Sequence, residues 1–448
     1  MNNETICAIA TAHGVGGIAI VRISGNQAQT IAEKILQKDL PSPRFAQLCD
    51  LWDTNNKLID EAIVIFFKNP HSFTGEDVVE FQCHGGFITA QRILQTSLDY
   101  GARVANPGEF SKRAVLNNKM DLSQAEALAK LIESKSIDSA KILAKQLKGE
   151  LTLFVNDLRD KLVEILAFIE VNIDYAEEDL PDDLVKQIEE KLENIIAVLK
   201  ETLVTSQSRE GLIDGFKIAI IGKPNVGKSS LLNALLRYER AIISDIAGTT
   251  RDTIEEEIKI GTHLVKIVDT AGIRQSEDTI EKIGIERSID AVESADIVIA
   301  LFDGSKNLDK DDQNIIDIIK QYKNDKNFIV TINKSDLEQK IETKVLKDLN
   351  PLHISTKRSV LTLIDQLDNI LNKKTTQDDL LLISKRQVDA VAKAKDAIQR
   401  AKPLLKNGEL EFFAFEINEA IKFIASITHT FERDEILDKM FGSFCLGK

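Results

Sequence analysis

The sequence predicts a multidomain α/β protein in which a domain with a mostly parallel sheet is inserted between two helical segments. Three observations lead to this fold class. Short β-like runs fill residues 1–118, long helical patterns occupy 119–210 and return over 376–448, and strands alternate with helices over 211–375. A chain of 448 residues is long enough for roughly two to four domains.

The composition is that of a folded protein with an acidic balance. Hydrophobic residues make up 43% and charged residues 29%, which excludes a largely disordered or fibrous chain. The formal net charge of -14 means that nucleic acid must be bound through a local basic patch or a partner. The cysteines form no CxxC pair, which favours reduced thiols. Because we find no signal peptide and no long apolar run, we expect a cytoplasmic protein without membrane contact.

The first predicted domain, residues 1–118, is of the α+β type. Its β-like runs include ICAIAT, GGIAIVRIS, EAIVIFF and DVVEFQC, and two helical patterns lie among them.

The helical segments begin at residue 119. Ser123 and Glu126 have the spacing of a capping box, which predicts a helix start. Further on, apolar residues repeat at helical spacing, which predicts one apolar face of a helix. Its members are Phe154, Leu158, Leu162, Ile165 and Ile169. We expect the two helical segments, 119–210 and 376–448, to pack together.

The inserted region, residues 211–375, has the pattern of a mostly parallel sheet. FKIAII, DIVIALF, NFIVTIN and LHIS are predicted strands. IEEEIKI and HLVKIVD are predicted to form a hairpin across Gly261 and Thr262.

A glycine-rich loop, GKPNVGKS at 222–229, follows the first strand of this region and opens a helix. Glycines allow backbone N–H groups to face phosphates, Lys228 adds positive charge, and the Ser229 hydroxyl can coordinate Mg²⁺. The loop residues to which we assign nucleotide binding are Asn225, Val226, Gly227, Lys228, Ser229 and Ser230.

Three further motifs, GTTRD, DTAG and NKSD, follow in the order that a GTPase requires. Asp269 can hold the Mg²⁺ shell, and a threonine of GTTRD can complete it. Asp336 can accept two N–H bonds from guanine, which adenine does not offer. A later STK segment resembles the loop that places a backbone N–H near the guanine oxygen. The predicted contacts are Gly248, Thr249, Thr250, Asp269, Thr270, Ala271, Gly272, Asn333, Lys334, Ser335, Asp336, Ser355, Thr356 and Lys357. The sequence therefore predicts GTP binding and hydrolysis.

The group that orients the attacking water stays open at this point. Ras-like enzymes place a glutamine directly after DxxG. Here that residue is Ile273, which has no polar atom for the task. Glu277, Asp278 and Glu281 are the carboxylates available further along, and composition does not choose among them.

From end to end, the chain resembles the MnmE (TrmE) family of tRNA-modification GTPases. The motifs that carry the resemblance are VRISG at 21–25, FTGEDVVEFQCHGG at 73–86, NPGEFSKRAVLNNKMDLSQAEA at 106–127, IDYAEEDL at 173–180, GKPNVGKSSLLNAL at 222–235, DIAGTTRD at 245–252, DTAGIR at 269–274, IEKIGIERS at 280–288 and FCLGK at 444–448. The resemblance implies an N-terminal tetrahydrofolate-binding and dimerisation domain over 1–118. It also implies a discontinuous helical domain over 119–210 and 376–448, and a Ras-like P-loop GTPase domain over 211–375.

The resemblance implies GTP hydrolysis in the service of tRNA chemistry. With the flavoprotein MnmG, which depends on FAD and NADH, the family adds an aminomethyl or carboxymethylaminomethyl group to C5 of the wobble uridine. The added carbon comes from a formyl or methylene derivative of tetrahydrofolate. The implied assembly is a homodimer that joins MnmG in a heterotetramer and acts on tRNA.

The family's site residues carry over to single positions of this chain. Folate binding falls on Arg22, Glu80, Lys119 and Lys448, and Cys445 lies by the modification centre. For the GTPase site, the resemblance implies that K⁺ is held by Asn225, Ser244, Ile246 and Thr249, and Mg²⁺ by Ser229 and Thr250. Further implied nucleotide contacts are Ser244, Asp245, Ile246 and Ala247. Glu281 is the implied water-orienting carboxylate.

Two other functions are compatible with parts of the sequence. A regulatory or ribosome-assembly GTPase whose flanks only bind RNA predicts a basic appendage. The nearest basic cluster, 103–119, holds only four bases and one acid. A folate-dependent enzyme in which GTP is purely regulatory stays open on the sequence alone.

Overall fold

The structure is a computed structural model, and it describes residues 4–12, 14, 16–174, 182–242, 256–268, 281–342, 345–373, 380–429, 440–442, 444 and 447. The chain divides into two compact units. The first unit comprises residues 1–132, 144–193 and 389–448, and the second comprises residues 133–143 and 194–388.

Strands and helices follow each other largely as the sequence predicts. The strands are β1 Ile6–Ile9, β2 Ile18–Ser24, β3 Gln47–Trp52, β4 Leu58–Phe67, β5 Val78–His84, β6 Arg103–Val104, β7 Phe216–Ile221, β8 Glu256–Ile260, β9 His263–Ile267, β10 Ile297–Asp303, β11 Asn327–Asn333 and β12 Leu352–His353. The helices are α1 Ala28–Leu36, α2 Phe87–Asp99, α3 Glu109–Leu116, α4 Leu122–Glu133, α5 Ile137–Leu147, α6 Glu150–Asp174, α7 Asp182–Ser208, α8 Glu210–Asp214, α9 Lys228–Ile242, α10 Glu281–Ser294, α11 Lys310–Tyr322, α12 Leu361–Lys373, α13 Lys385–Lys406 and α14 Leu410–Ala425.

The first unit contains a six-stranded sheet in the spatial order β3-β4-β5-β2-β1-β6. Its neighbouring strands are antiparallel except for β1 and β6, which are parallel. Helices α1 and α2 cover the sheet, and Ile23, Ile31, Phe81 and Ile93 form part of the buried core. This is the predicted α+β arrangement, with β3, β6 and the short helix α3 in addition.

Helices α6 and α14 pack against each other in the first unit. Leu158, Leu162, Ile165 and Ile169 on α6 are buried, as the apolar spacing predicts. Phe154, the fifth residue of the predicted face, is only half-buried.

The start of α4 differs from the prediction: Ser123 and Glu126 do not form the predicted capping box. The N-cap is Asp121: its Oδ1 accepts the Gln124 N–H at 2.9 Å, and Gln124 Oε1 accepts the Asp121 N–H at 2.9 Å. Ser123 instead donates to Asp121 Oδ1 at 2.7 Å, and Glu126 is buried inside the helix. An Asp-x-x-Gln pair makes the same reciprocal bonds two residues earlier.

The second unit contains a six-stranded sheet in the order β12-β11-β10-β7-β9-β8. Its strands are parallel except for the predicted β8–β9 hairpin. Alternate residues of β7 enter two different cores: Ile218 and Ile220 pack towards α9 and α12, and Ala219 and Ile221 pack towards α10 and α11. The carboxyl ends of β7, β10, β11 and β12 therefore meet at one edge of the sheet, where ligands bind in open α/β folds.

The first turn of α5 explains why residues 133–143 belong to the second unit. Ser136 Oγ donates to the Thr262 carbonyl at 2.9 Å, and Thr262 Oγ1 donates to Asp138 Oδ2 at 2.5 Å. These bonds attach the segment to the turn of the β8–β9 hairpin.

Candidate functional site

The glycine-rich loop lies between the end of β7 and the start of α9, as predicted. Gly222, Asn225 and Gly227 have positive φ angles of 154°, 63° and 106°. A Cβ on Gly227 would lie 2.4 Å from the Asn333 amide nitrogen, so only glycine fits there. The loop backbone is thus free of side chains where it faces the NKSD motif.

A cavity of about 410 Å³ opens beside this loop and joins three of the predicted motifs. Its lining residues are Asn225, Gly227, Lys228, Ser229, Ser230, Asn333, Lys334, Asp336, Leu337, Thr356 and Lys357. Of these, only Leu337 was absent from the predicted nucleotide contacts.

The Lys228 ammonium lies across the loop. Its Nζ donates to the carbonyl oxygens of Gly222 at 2.7 Å and Lys223 at 3.0 Å. Burial lowers the pKa of Lys228 because its charge is held away from water. A phosphate bound in the loop would favour the charged form, which is the chemistry expected of a P-loop lysine.

Asn333 joins the glycine-rich loop to the STK segment. Its Nδ2 donates to the Val226 carbonyl at 2.9 Å, and its Oδ1 accepts the Thr356 N–H at 3.1 Å. Because the Asn333 side chain is buried and both of its polar atoms are bonded, it fixes the distance between the two loops.

Lys334 and Asp336 are held by partners outside the NKSD motif. Lys334 Nζ donates to the Asn225 carbonyl at 3.2 Å and to Asp303 Oδ2 at 2.6 Å. Asp336 Oδ1 accepts the Ser355 hydroxyl at 2.6 Å. That hydrogen bond lowers the pKa of Asp336, which keeps the carboxylate ionised as an acceptor.

Several predicted site residues lie outside the described residues. They are Ser244, Asp245, Ile246, Ala247, Gly248, Thr249, Thr250, Asp269, Thr270, Ala271, Gly272, Cys445 and Lys448, together with Ile273, Glu277 and Asp278. Helix α10 begins at Glu281, whose side chain also lies outside the described part of the chain.

Two of the predicted folate residues, Arg22 and Glu80, form a pair on neighbouring strands. They face each other across β2 and β5, and Arg22 Nε donates to Glu80 Oε1 at 2.9 Å. The guanidinium carbon lies 5.3 Å from the ring centroid of Phe73 and 5.6 Å from that of Phe110. With 19% and 13% of their side-chain surface exposed, the two charges are partly desolvated and flanked by aromatic rings.

Lys119, the third described folate residue, is exposed and lies beside the same loop as Phe73. A Cβ on Gly75 would lie 3.1 Å from the Lys119 Cγ. The loop that follows β4 therefore contacts Arg22 through Phe73 and approaches Lys119 through Gly75.

Two described residues near the C-terminus, Phe441 and Gly447, contact other parts of the first unit, and each contact involves a glycine that sequence reasoning missed. A Cβ on Gly447 would lie 2.4 Å from the Ile9 carbonyl oxygen, and one on Gly108 would lie 2.4 Å from the Phe441 carbonyl oxygen. Ile9 pairs with Val21, the neighbour of Arg22. The signal available in the sequence was that both glycines stand inside the PGEF and CLGK motifs.

An ion-pair network behind the Phe73 loop was also missed. Arg113 pairs with Glu76 at 3.0 Å and with Glu109 at 2.9 Å, and Arg103 pairs with Glu109 at 2.6 Å. Burial raises the pKa of Glu109, but bonds from Arg103, the Asn106 N–H and Arg113 outweigh it and lower the pKa to about 2. The network fixes the base of the loop through Glu76.

Three cysteines are free and buried, as predicted for reduced thiols: Cys7, Cys49 and Cys83. Burial raises the pKa of Cys7 to about 12 and that of Cys83 to about 11. Among the described residues, no group of three or more His, Cys, Asp or Glu side chains could hold a metal ion. Over the same residues, no helix is long and apolar enough to cross a membrane.

The parallel sheet, the glycine-rich loop and the NKSD contacts define a P-loop GTPase. Residues 5–119 match the family described as "GTP-binding protein TrmE N-terminus", and residues 122–445 match "MnmE helical domain". The chain belongs to the MnmE (TrmE) family of tRNA modification GTPases. The predicted family, fold class and enzyme class are confirmed.

Relatives match over the full length. A protein named tRNA modification GTPase MnmE from Sulfurimonas denitrificans is 59% identical over 448 residues, covering 100% of both chains. Its namesake from Sulfurovum sp. is 57% identical over 445 residues, covering 99% of both chains. Among solved structures, a crystal structure of Era in complex with MgGDPNP and 16S ribosomal RNA nucleotides is 27% identical, with a TM-score of 0.28, and the match covers 41% of this chain and 66% of that one.

Proposed function

We propose that this chain is a GTP-hydrolysing enzyme that works with the flavoprotein MnmG on certain tRNAs. Together they add a carboxymethylaminomethyl or aminomethyl group to C5 of the wobble uridine, using a one-carbon unit from tetrahydrofolate. The observation that carries the proposal is the full-length match to tRNA modification GTPases. The cavity that joins the glycine-rich loop to the NKSD and STK motifs supports the GTPase part.

The proposed organisation has three domains. Residues 1–118 bind folate and form a homodimer, residues 119–210 and 376–448 form the helical domain, and residues 211–375 form the G domain. The homodimer joins MnmG in a heterotetramer in the cytoplasm.

In the proposed GTPase site, the glycine-rich loop binds the phosphates and Asp336 selects guanine. Ser229, beside Lys228 at the cavity, supplies a hydroxyl ligand for Mg²⁺ together with Thr250. Asn225 lines the same cavity and supplies an oxygen ligand for K⁺. The other K⁺ ligands in the proposal are Ser244, Ile246 and Thr249. Bound there, K⁺ supplies positive charge to the phosphates, and Glu281 orients the attacking water in place of the missing glutamine.

In the proposed folate site, Glu80 accepts the N–H groups of the pterin ring. Arg22, Lys119 and Lys448 attract the acidic glutamate tail. The buried contact of Gly447 with Ile9 at the end of β1 supports this assignment, because β1 pairs with β2, the strand that carries Arg22. Cys445 then lies by the modification centre.

Reconstitution tests the proposal directly. The purified chain, MnmG, FAD, NADH, GTP, Mg²⁺, K⁺, methylene-tetrahydrofolate, glycine or ammonium as the source of the amino group, and unmodified tRNA are combined, and the nucleosides are measured by mass spectrometry. We expect the C5 adduct only when all components are present. Product formed without folate would contradict the one-carbon role, and product formed without MnmG would contradict the partnership.

The cation requirement has its own test. We expect K⁺ to raise GTP hydrolysis well above the rate in Na⁺, and Asn225→Ala to abolish that difference. Equal rates of GTP hydrolysis by the wild type in K⁺ and Na⁺ would contradict the proposed K⁺ site.

A further inference from the structure

The stretch from the last residue of β10 to the first turn of α11, residues Asp303–Asp312, directs three carboxylates at lysines of the nucleotide-binding loops. Asp309 Oδ2 and Asp312 Oδ2 accept from Lys223 Nζ at 2.7 Å and 2.5 Å. Asp303 Oδ2 accepts from Lys334 Nζ at 2.6 Å. We call this stretch the acidic segment; none of its residues belongs to a nucleotide-binding motif.

Both lysines are connected to the backbone of the glycine-rich loop. Lys223 is the second residue of that loop, and its carbonyl oxygen accepts from Lys228 Nζ at 3.0 Å. Lys334 Nζ donates to the carbonyl oxygen of Asn225 at 3.2 Å. One lysine is thus part of the loop just before Pro224, and the other binds the loop backbone just after it, at Asn225.

The Lys223–Asp312 pair is too buried to be an ordinary surface ion pair, since the two side chains expose 9% and 4% of their surface. Asp303 exposes 2% and its partner Lys334 exposes 30%, whereas Asp309, the second partner of Lys223, is 56% exposed. Burying an ion pair is rarely a net gain in stability over apolar packing, because desolvation offsets the attraction. What such a pair does supply is a fixed geometry.

Helix capping does not account for Lys223. Asp309 Oδ1 accepts the N–H groups of Asp311 and Asp312, and Asp312 Oδ2 accepts the N–H of Asp309, which completes the capping box of α11. Lys223 binds the oxygen of Asp309 that takes no part in the cap, and at Asp312 it shares the capping oxygen Oδ2 with the Asp309 N–H. The helix start would keep its own bonds without the lysine.

We propose that the carboxylates of the acidic segment are positioning residues for nucleotide binding. Through Lys223 and Lys334 they fix the backbone of the glycine-rich loop around Asn225. The inference rests on the proposed GTP site and extends it to side chains that never touch the nucleotide.

Because the loop would contact phosphates shared by GDP and GTP, loss of a pair should weaken both nucleotides. We expect Lys223→Met to raise the Kd of a fluorescent GDP analogue by about tenfold, with the KM for GTP rising in parallel. The Kd for GDP is the deciding measurement, because Asn225 is also a proposed K⁺ ligand and a displaced loop would lower kcat as well. Lys223→Arg retains the charge and should restore affinity.

The design separates positioning from general destabilisation. Asp317→Asn is the matched control, since Asp317 lies on the same helix and its ion pair with Lys320 is 62% exposed on both sides. It should leave Kd unchanged. Asp303→Asn provides a second variant that acts through Lys334, and each melting temperature is measured without nucleotide.

The outcomes are distinct. If the wild-type chain binds no guanine nucleotide, the proposed GTP site itself is wrong. If it binds, and both Lys223→Met and Asp303→Asn bind equally tightly, the positioning role is wrong. A weakening that Lys223→Arg does not reverse, or that Asp317→Asn reproduces, also contradicts it.

Discussion

Single side chains fix the spacing of the guanine-nucleotide site before any ligand is considered. Asn333 bonds two loops at once, and Lys334 contacts the glycine-rich loop while it pairs with a buried carboxylate. Asp336 Oδ1 accepts the Ser355 hydroxyl at 2.6 Å, which orients the carboxylate beside the cavity. In the proposed site, guanine would therefore meet polar groups whose positions are already fixed by hydrogen bonds within the protein.

Asp336→Asn tests guanine recognition. We expect the variant to lose about 2–3 kcal/mol of GTP affinity, because an amide nitrogen replaces one acceptor oxygen, and to bind xanthine nucleotides better than the wild type does. Titration of fluorescent GDP and XDP analogues measures both effects. Glu338→Gln, an exposed neighbour, is the control and should change neither. Undiminished GDP affinity in Asp336→Asn would show that another residue reads the base.

Glu80→Ala tests the folate assignment. Removal of a partly buried, charge-assisted acceptor should cost on the order of 2–3 kcal/mol of folate affinity and leave GTP affinity unchanged. Calorimetry with 5-formyl-tetrahydrofolate measures the loss. Glu61→Ala, on the exposed face of β4, serves as the control. Folate binding that survives in Glu80→Ala would mean that the pair with Arg22 is only structural.

Glu109 predicts a pH dependence of stability. Its pKa falls from 4.5 to about 2 on folding, so its contribution is full above the unfolded value and is lost as the pH drops towards 2. The contribution is at most about 3 kcal/mol. In urea unfolding followed by the fluorescence of Trp52, the chain's one tryptophan, the difference between wild type and Glu109→Gln should shrink between pH 7 and pH 3. A difference that stays constant over that range would contradict the assignment.

At the scale of elements, the sequence patterns predicted every described strand except β3 and β6, including the two-residue β12 and the half-polar β8. In β3 Cys49 and Leu51 are buried while Leu48 and Asp50 are exposed, so the apolar letters of QLCDLW do not alternate in step with the buried face. β6 has two residues and exists only through its pairing with β1. Such strands are defined by a partner distant in sequence, which no local pattern reports.

The cap of α4 gives a stability prediction. Asp121→Ala should destabilise the first unit by about 1–2 kcal/mol, because Oδ1 caps the Gln124 N–H and Oδ2 accepts the Thr152 hydroxyl. Ser123→Ala, which removes only a donor to Asp121, should cost less. Thermal melting of both variants beside the wild type measures the order, and the reverse order would restore Ser123 as the cap.

For the whole molecule, the motifs predicted which segments come together, since the glycine-rich loop, NKSD and STK line one cavity, and the structure shows the bonds that hold them. The glycine-rich loop, NKSD and STK can each be recognised from a short contiguous stretch of sequence, because each performs a local backbone task. Lys223 lies 86 and 89 residues from its partners Asp309 and Asp312. In the sequence, these three residues cannot be distinguished from ordinary surface charges. Only the packing of β7 against β10 brings them together.

The central claim is that this chain, as a GTPase of tRNA modification, is needed to modify the wobble uridine. Mass spectrometry of tRNA nucleosides from a strain lacking its gene tests that claim most directly. We predict that the carboxymethylaminomethyl and aminomethyl groups at C5 disappear, return with the wild-type gene, and fail to return fully with Asp336→Asn. An unchanged set of C5-modified wobble uridines in the deletion strain would contradict the account.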